Sequence, residues 1–389
     1  MYIEKLFETM DELKNRMYEI SQYIGNNPEL GNEEFKACEI LSETLREHDF
    51  KVNTNIVGQP TAFEAVYESG RPGPNVAFMS EYDALPEIGH ACGHNLIGTM
   101  GAAAGIALSK FIHETGGKVF VYGTPAEETR GAKVTMAEEG VFDHLDVAIM
   151  SHPSSCYRES GSSLAMDAIE FAFTGKTAHA AAAPEEGINA LDAVIQTFNS
   201  INALRQHVTS DVRIHGVIPE GGKAANVVPD YAAAHFYVRA STRSAVNKVV
   251  EKVNNCAKGA ALATGAELSI SNYEFSYDNM VTNEPLSKTF TESLVSLGVD
   301  RDEIKEKKGG GSLDMGNVSH KVPSIHPYVK ISDTPIIGHT REFRDAALSK
   351  EGFEGMFIGA KAMALTGLKV LTDRSLLDSI KNEFENTKK

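Results

Sequence analysis

The sequence predicts an α/β chain built on a central, mostly parallel sheet, with a smaller α+β domain inserted into it. Three observations carry that prediction. Up to about residue 166, apolar segments of strand length alternate with helical stretches. From there to about residue 280, the strands alternate apolar and polar residues, the mark of a sheet with one solvated face. Beyond 280 the first pattern resumes, and 389 residues is more than one hydrophobic core usually spans.

In chain order, two amphipathic helices come first, over about 3–24 and 33–48, with the Pro and Gly of "NNPELGN" between them. The segments "PNVAFMS", "KVFVYGT" and "DVAIMSH" are apolar nearly throughout, as strands buried on both faces must be. The stretches between them, "NLIGTMGAAAGIALSKFIHE" and "TRGAKVTMAEEGVF", have helical periodicity. The inserted part reads as "AIEFAFTGK" (strand), "NALDAVIQTFNSINALRQHV" (helix), "DVRIHGVI" and "AAHFYVRAS" (strands), "RSAVNKVVEKVNNCAKGAALATG" (helix) and "AELSISNYEF" (strand). That order is the ferredoxin-like arrangement. The returning part holds "PLSKTFTESLVSLG", "SIHPYVKI" and "SKEGFEGMFIGAKAMALTGLKVL", and no internal repeat or low-complexity tract is visible.

Composition narrows the function. The chain carries 53 acids against 37 bases, a net charge of −16, which argues against nucleic acid or an anionic membrane as partner. No apolar run approaches the roughly 20 residues that span a bilayer. The start, "MYIEKLFETMDELKNRM", has no apolar signal stretch, so a cytoplasmic location is the expectation. Four widely spaced cysteines (38, 92, 156, 256) do not suggest a disulfide framework. Three read as small buried hydrophobes, whereas Cys92 has histidines on both sides.

Ligands of open α/β sheets bind beyond the carboxyl ends of the strands. Asp83 follows "NVAFMS", the pair Glu127–Glu128 follows "KVFVYGTPA", and His152 closes "VAIMSH". "GHACGH" leads into a helix N-terminus, and His339 lies in a loop after "TPIIG". None of these is specific alone; their convergence is. Cys92, His94, one glutamate, His152 and His339 form a donor set suited to two divalent metals, three ligands each if the thiolate bridges. The remaining glutamate is then free to act as general base beside an activated water.

The segments "EYDALP", "HACGHN", "GTPAEE", "SHP", "GKTAHAAAAPEEGINAL", "ANVVPD", "GGGSLDMGNVSHKVPSIHPY" and "HTREF" resemble, in order and over about residues 15–370, the M20 family of metallopeptidases and amidohydrolases, in its aminoacylase-like branch. The resemblance implies a catalytic domain over 1–166 and 281–389 and an inserted lid over 167–280 that also joins two chains in a homodimer. It implies two divalent ions per chain, Zn²⁺ or Mn²⁺, with Cys92 bridging. His94 and His152 would complete one site, Glu128 and His339 the other. Glu127 would be the general acid/base, and Asp83 would orient a metal-binding imidazole. Many relatives carry a ligating His two residues before that aspartate; here the position is Glu81, and His94 takes the place. In the lid, His179 would reach a partner's site and polarise the scissile carbonyl, while Asn226 and Arg239 would contact the amide and carboxylate of the substrate. The implied substrate is a small molecule or short peptide with a free carboxylate: an N-acyl amino acid, a dipeptide or an aminobenzoyl-amino acid.

Other readings account for less. As a nucleophile, Cys92 could use His90 or His94 as base, but bases on the same short segment seldom reach the thiol, and Glu127, Glu128, His152 and His339 would go unexplained. A dipeptidase that requires a free amino terminus is the alternative within the same chemistry. A non-catalytic binding protein would leave a complete donor set without a use. "GGGS" at 309–312 lacks the lysine of a phosphate loop and reads as flexible backbone close to substrate. His90 reads as a hydrogen-bond partner behind the metal ligands. His113, His144, His207 and His215 read as surface or satisfied residues, and His326 has no role that chemistry assigns.

Overall fold

The computed structural model describes residues 2–306 and 310–387, and they form two compact units. One comprises 1–162, 280–309 and 314–389; the other 163–279 with 310–313.

The larger unit is organised by a six-stranded sheet in the order Lys51–Thr54, Phe63–Glu68, Lys118–Gly123, Asn75–Ser80, Val147–Ile149, Ser324–Ile325. The first three strands pair antiparallel and the remaining pairings are parallel. Five of six residues of Asn75–Ser80 are buried, as its unbroken apolar sequence requires. The helix His94–Ser109 is buried along its whole length, which its small-residue sequence allows. Two glycines set how closely it lies on the sheet. A Cβ on Gly98 would come within 2.8 Å of the Glu81 carbonyl oxygen, and one on Gly101 within 2.8 Å of that of Met79. Gly101→Ala therefore destabilises this unit by about 1–3 kcal/mol through overpacking. Urea unfolding measures it, and an unchanged midpoint would show that the helix can slide off the strand.

The helix Lys350–Thr372 is long and apolar enough by composition to cross a membrane. Most of it is buried against His94–Ser109 and Glu284–Ser296, so here it is a core helix.

Three expectations need correction. "DVAIMSH" is not one strand: Val147–Ile149 stays in the main sheet, and His152 begins a separate strand, His152–Ser154, paired parallel with Tyr328–Lys330. "SIHPYVKI" splits likewise into Ser324–Ile325 and Tyr328–Lys330. Pro327 lies at that break; it has no N–H to continue a ladder. Cys38 is buried, but Cys156 and Cys256 are only half-buried, and all four cysteines are free.

The smaller unit is a four-stranded antiparallel sheet in the order Glu267–Asn272, Ala165–Thr174, Tyr231–Ala240, Arg213–Glu220. This is the strand order of a ferredoxin-like unit. Its two helices start at side-chain caps: Asn189 Oδ1 accepts from Asp192 N at 3.2 Å, and Thr242 Oγ1 from Ala245 N at 3.1 Å. Phe171, Phe173, Phe236 and Val238 face Val194, Ile201, Val246 and Val253 in its core. Of "GGGS", Gly309 lies outside the described residues, while the Gly311 carbonyl accepts from Leu164 N at 2.8 Å.

Candidate active site

The carboxyl ends of three parallel strands deliver the site of the larger unit. Asp83 lies three residues beyond Asn75–Ser80, and Glu127 and Glu128 follow Lys118–Gly123. Cys92 and His94 enter the buried helix. Gly93, at φ +79°, makes the left-handed turn between them, and a Cβ there would also meet Pro153. His339 arrives on a loop at φ +64°, its N–H bonded to the Ala91 carbonyl at 2.9 Å.

The side chains converge in overlapping groups, each with donor atoms within 4.8 Å of one another: Cys92, His94 and His152; Cys92, Glu128 and His339; His94, Glu127 and Glu128. Cys92 Sγ is 3.4 Å from His152 Nε2, and His339 Nε2 is 3.2 Å from Glu128 Oε1. His94 Nδ1 donates to Asp83 Oδ1 at 2.9 Å, which turns Nε2 toward the group. That Nε2 is buried and finds no hydrogen-bond partner. A nitrogen left without a partner among a thiol, imidazoles and carboxylates is one that a metal would use by displacing its proton. Asp83 also accepts the Glu128 N–H at 2.9 Å through Oδ2, so one carboxylate orients two of the donors.

The electrostatics are those of a crowded acidic site. Burial and the neighbouring Glu81 and Glu128 push the Glu127 carboxyl well above its ordinary value. Burial pushes the Cys92 thiol up as well. Burial opposes charge on His94, but Asp83 and Cys92 outweigh it and hold the imidazole well above its usual pKa. The hydrogen bond to Glu128 raises His339.

Behind the site lies a cluster that the sequence reading missed. Lys133, fully buried, donates to Glu81 Oε1 at 2.5 Å and to Asp314 Oδ1 at 2.7 Å. The two carboxylates outweigh burial and hold the ammonium charged. The other Glu81 oxygen is 3.6 Å from His94 Nε2. The only signal in the sequence was a lysine within the apolar turns of "GAKVTMA". His326 is also buried here, its ring 5.5 Å from that of His152. Both ring nitrogens of His90 are buried without a hydrogen-bond partner, and burial lowers its pKa to about 3. His113 and His144 meet tyrosine hydroxyls, as satisfied histidines do.

The smaller unit holds the other three predicted residues, in two places. His179 and Asn226 lie together: Ala180 N donates to the Asn226 carbonyl at 3.1 Å. His179 Nδ1 accepts two backbone N–H groups, from Ala181 at 3.2 Å and Ala182 at 3.1 Å, so Nε2 carries the proton and is a donor. His179 lies five residues beyond the Thr174 end of the Ala165–Thr174 strand, whereas Arg239 pairs with Met166 near its other end, roughly 26 Å of strand from Thr174. Its guanidinium lies over the Tyr237 ring at 5.3 Å, and its Nε has no hydrogen-bond partner.

Comparison with known proteins bears on the family and the fold. Residues 165–264 match the M20 peptidase dimerisation domain. The chain is 36% identical over 392 residues to the Xaa-Arg dipeptidase of Mus musculus, covering 97% of this chain and 91% of that protein. It is 28% identical over 450 residues to one of the subunits of the p-aminobenzoyl-glutamate hydrolase of Escherichia coli strain K12, covering 96% and 92%. A dinuclear metal-binding peptidase of the M20 family from Bacillus subtilis superposes with a TM-score of 0.69 at 20% identity, covering 93% of this chain and 99% of that one.

Proposed function

The chain belongs to the M20 family of metallopeptidases and amidohydrolases, and on that premise we propose that it hydrolyses the amide bond of a dipeptide, N-acyl amino acid or aminobenzoyl-amino acid with a free carboxylate. The observation that carries this is the pair of three-donor groups sharing Cys92. Cys92, His94 and His152 would hold one divalent ion, and Cys92, Glu128 and His339 the other. One thiolate, three imidazoles and one carboxylate suit zinc, and the carboxylate admits manganese. When bound, such ions supply water activation and carbonyl polarisation.

This chain's own residues do the rest. Glu127 takes the proton of the attacking water and returns it to the leaving nitrogen as the C–N bond breaks. His179 Nε2–H donates to the oxygen that gains charge at the attacked carbon. Arg239 binds the substrate carboxylate and Asn226 its amide. Because His179 lies beyond one end of the Ala165–Thr174 strand and Arg239 is paired near its other end, this reading takes His179 and Asn226 from the partner subunit of a homodimer.

The test is a panel of dipeptides (Xaa-Arg among them), N-acetyl amino acids and p-aminobenzoyl-glutamate, assayed after loading with zinc or manganese. Hydrolysis that chelation abolishes and metal restores is the expected result. Cleavage confined to substrates with a free amino terminus assigns the dipeptidase alternative. Cleavage of esters alone, or full activity in protein that carries no metal by elemental analysis, rejects the proposal.

A further inference from the structure

The segment between the helices Tyr2–Asn26 and Phe35–Glu47 lies against the loop that carries Glu127, and it brings a buried acid with it. Glu34 is fully buried. Its Oε1 accepts the N–H of Ala126 at 2.8 Å, across 92 residues of sequence, and its Oε2 accepts the Thr61 hydroxyl at 2.7 Å. Thr61 is buried too, and its carbonyl accepts from the Tyr82 hydroxyl at 2.5 Å. Gly31 presses on the same loop: a Cβ there would lie 3.0 Å from both Ala126 Cα and Cβ.

Ala126 is the residue before the general base, and its φ is +62°. An alanine in that left-handed region is strained by roughly 1–2 kcal/mol and persists only where its surroundings over-determine it. The surroundings here do so. The Ala126 carbonyl accepts from Gly131 N at 2.6 Å and Thr129 N at 3.2 Å, and its N–H goes to Glu34. Two residues on, the Glu128 N–H goes to Asp83. The base is thus flanked by two peptide groups, each tied to a buried carboxylate.

A buried N–H needs an acceptor, but a neutral carbonyl would satisfy it. Glu34 is a costly choice, because none of its hydrogen-bond partners is a cation. Its burial, with the Asp83 charge nearby, raises its pKa to about 7. Groups held against their own solvation in this way are characteristic of functional sites.

We infer that Glu34 is a positioning residue for the reaction: through the Ala126 peptide it fixes the direction in which Glu127 leaves its loop. The inference rests on the role proposed for Glu127. Glu34→Gln keeps both contacts, since the amide oxygen can accept from Ala126 and the amide nitrogen can donate to the Thr61 hydroxyl. Glu34→Ala loses both.

Two readouts on metal-loaded protein separate this from a merely structural role. The first is steady-state kinetics on the dipeptide or acyl amino acid that the wild type cleaves fastest. Glu34→Ala should lower kcat about 10–100-fold, with KM within about threefold, since a displaced catalytic group loses rate rather than affinity. Glu34→Gln should stay within about threefold of wild type in both constants. The second is amide hydrogen exchange, which needs no activity. Exchange at Ala126–Glu128 should quicken in Glu34→Ala and stay slow in Glu34→Gln, with zinc or manganese content unchanged in both. If Glu34→Ala does not accumulate as folded protein, Glu34→Asp withdraws the carboxyl by one methylene and should give the same two changes. Unaltered kcat or unaltered exchange in the shortened variant overturns the inference. So does a Glu34→Gln protein as slow as Glu34→Ala, which would make the charge rather than the geometry responsible. A wild-type protein that cleaves no amide overturns the functional reading instead, and the exchange result then still decides whether Glu34 holds the loop.

Discussion

Glu127→Gln lowers turnover by roughly 10²–10⁴-fold, the contribution of a positioned general acid–base, while leaving metal content intact. The substitution keeps shape and removes only the proton site. Glu127 shares a three-donor group with His94 and Glu128 but belongs to neither of the groups that Cys92 joins. Glu128→Gln is the control with the opposite signature. Glu128 belongs to the group of Cys92 and His339, and its oxygen is 3.2 Å from His339 Nε2, so its variant should lose metal together with activity. Metal analysis beside steady-state kinetics tells the two apart. Equal metal loss in both variants would mean that the two glutamates have each other's roles.

Lys133→Met destabilises the metal-free larger unit by about 3–5 kcal/mol, the cost of breaking a buried ion cluster by removing one partner. The methionine fills a similar volume, so the loss is of charge rather than packing. It leaves Glu81 and Asp314, each at most 2% exposed, without their shared cation. Glu127, which also favours the charge on Lys133, loses the same cation. The urea midpoint of this unit should fall accordingly, and a triple variant, Glu81→Gln with Lys133→Met and Asp314→Asn, should recover most of the loss because no charge remains buried. A midpoint equal to wild type in the single variant would show that the cluster is neutral or hydrated in solution.

How much of this was legible in the sequence depended on the range of the interaction. Asn75–Ser80 and Lys118–Gly123 were legible because burial on both faces leaves almost only apolar residues. The strands of the smaller unit were legible because one face of each meets its core: buried and half-buried positions alternate along Phe236–Ala240. Cys92, His94, Glu128, His152 and His339 could be gathered from sequence because each is a metal-type donor close to the end of an apolar segment or the start of a helix. The break at Pro327 could have been read from the proline itself. The partners of Lys133 could not, since they lie 52 and 181 residues away, and a lysine in a short helix is ordinarily solvated. Glu34 was hidden for the same reason. It looks like one more surface acid in "GNEEFKA", and only the fold carries Ala126 to it. Nor does any residue type announce the left-handed turn at Ala126, because alanine usually avoids it.

The contact of the His94–Ser109 helix with the sheet also bears on how this protein can vary over generations. At Gly98 and Gly101 the nearest atoms include main-chain oxygens, which no compensating side-chain change can move aside. Even the smallest substitution there, a single methyl group, displaces a strand, and His94 sits at the first turn of that same helix. Sequence drift through these positions therefore has no gradual route: each step loses stability and misplaces a site residue at once. Change is steered elsewhere, to the exposed faces of the outer helices and to the open face of the smaller unit's sheet.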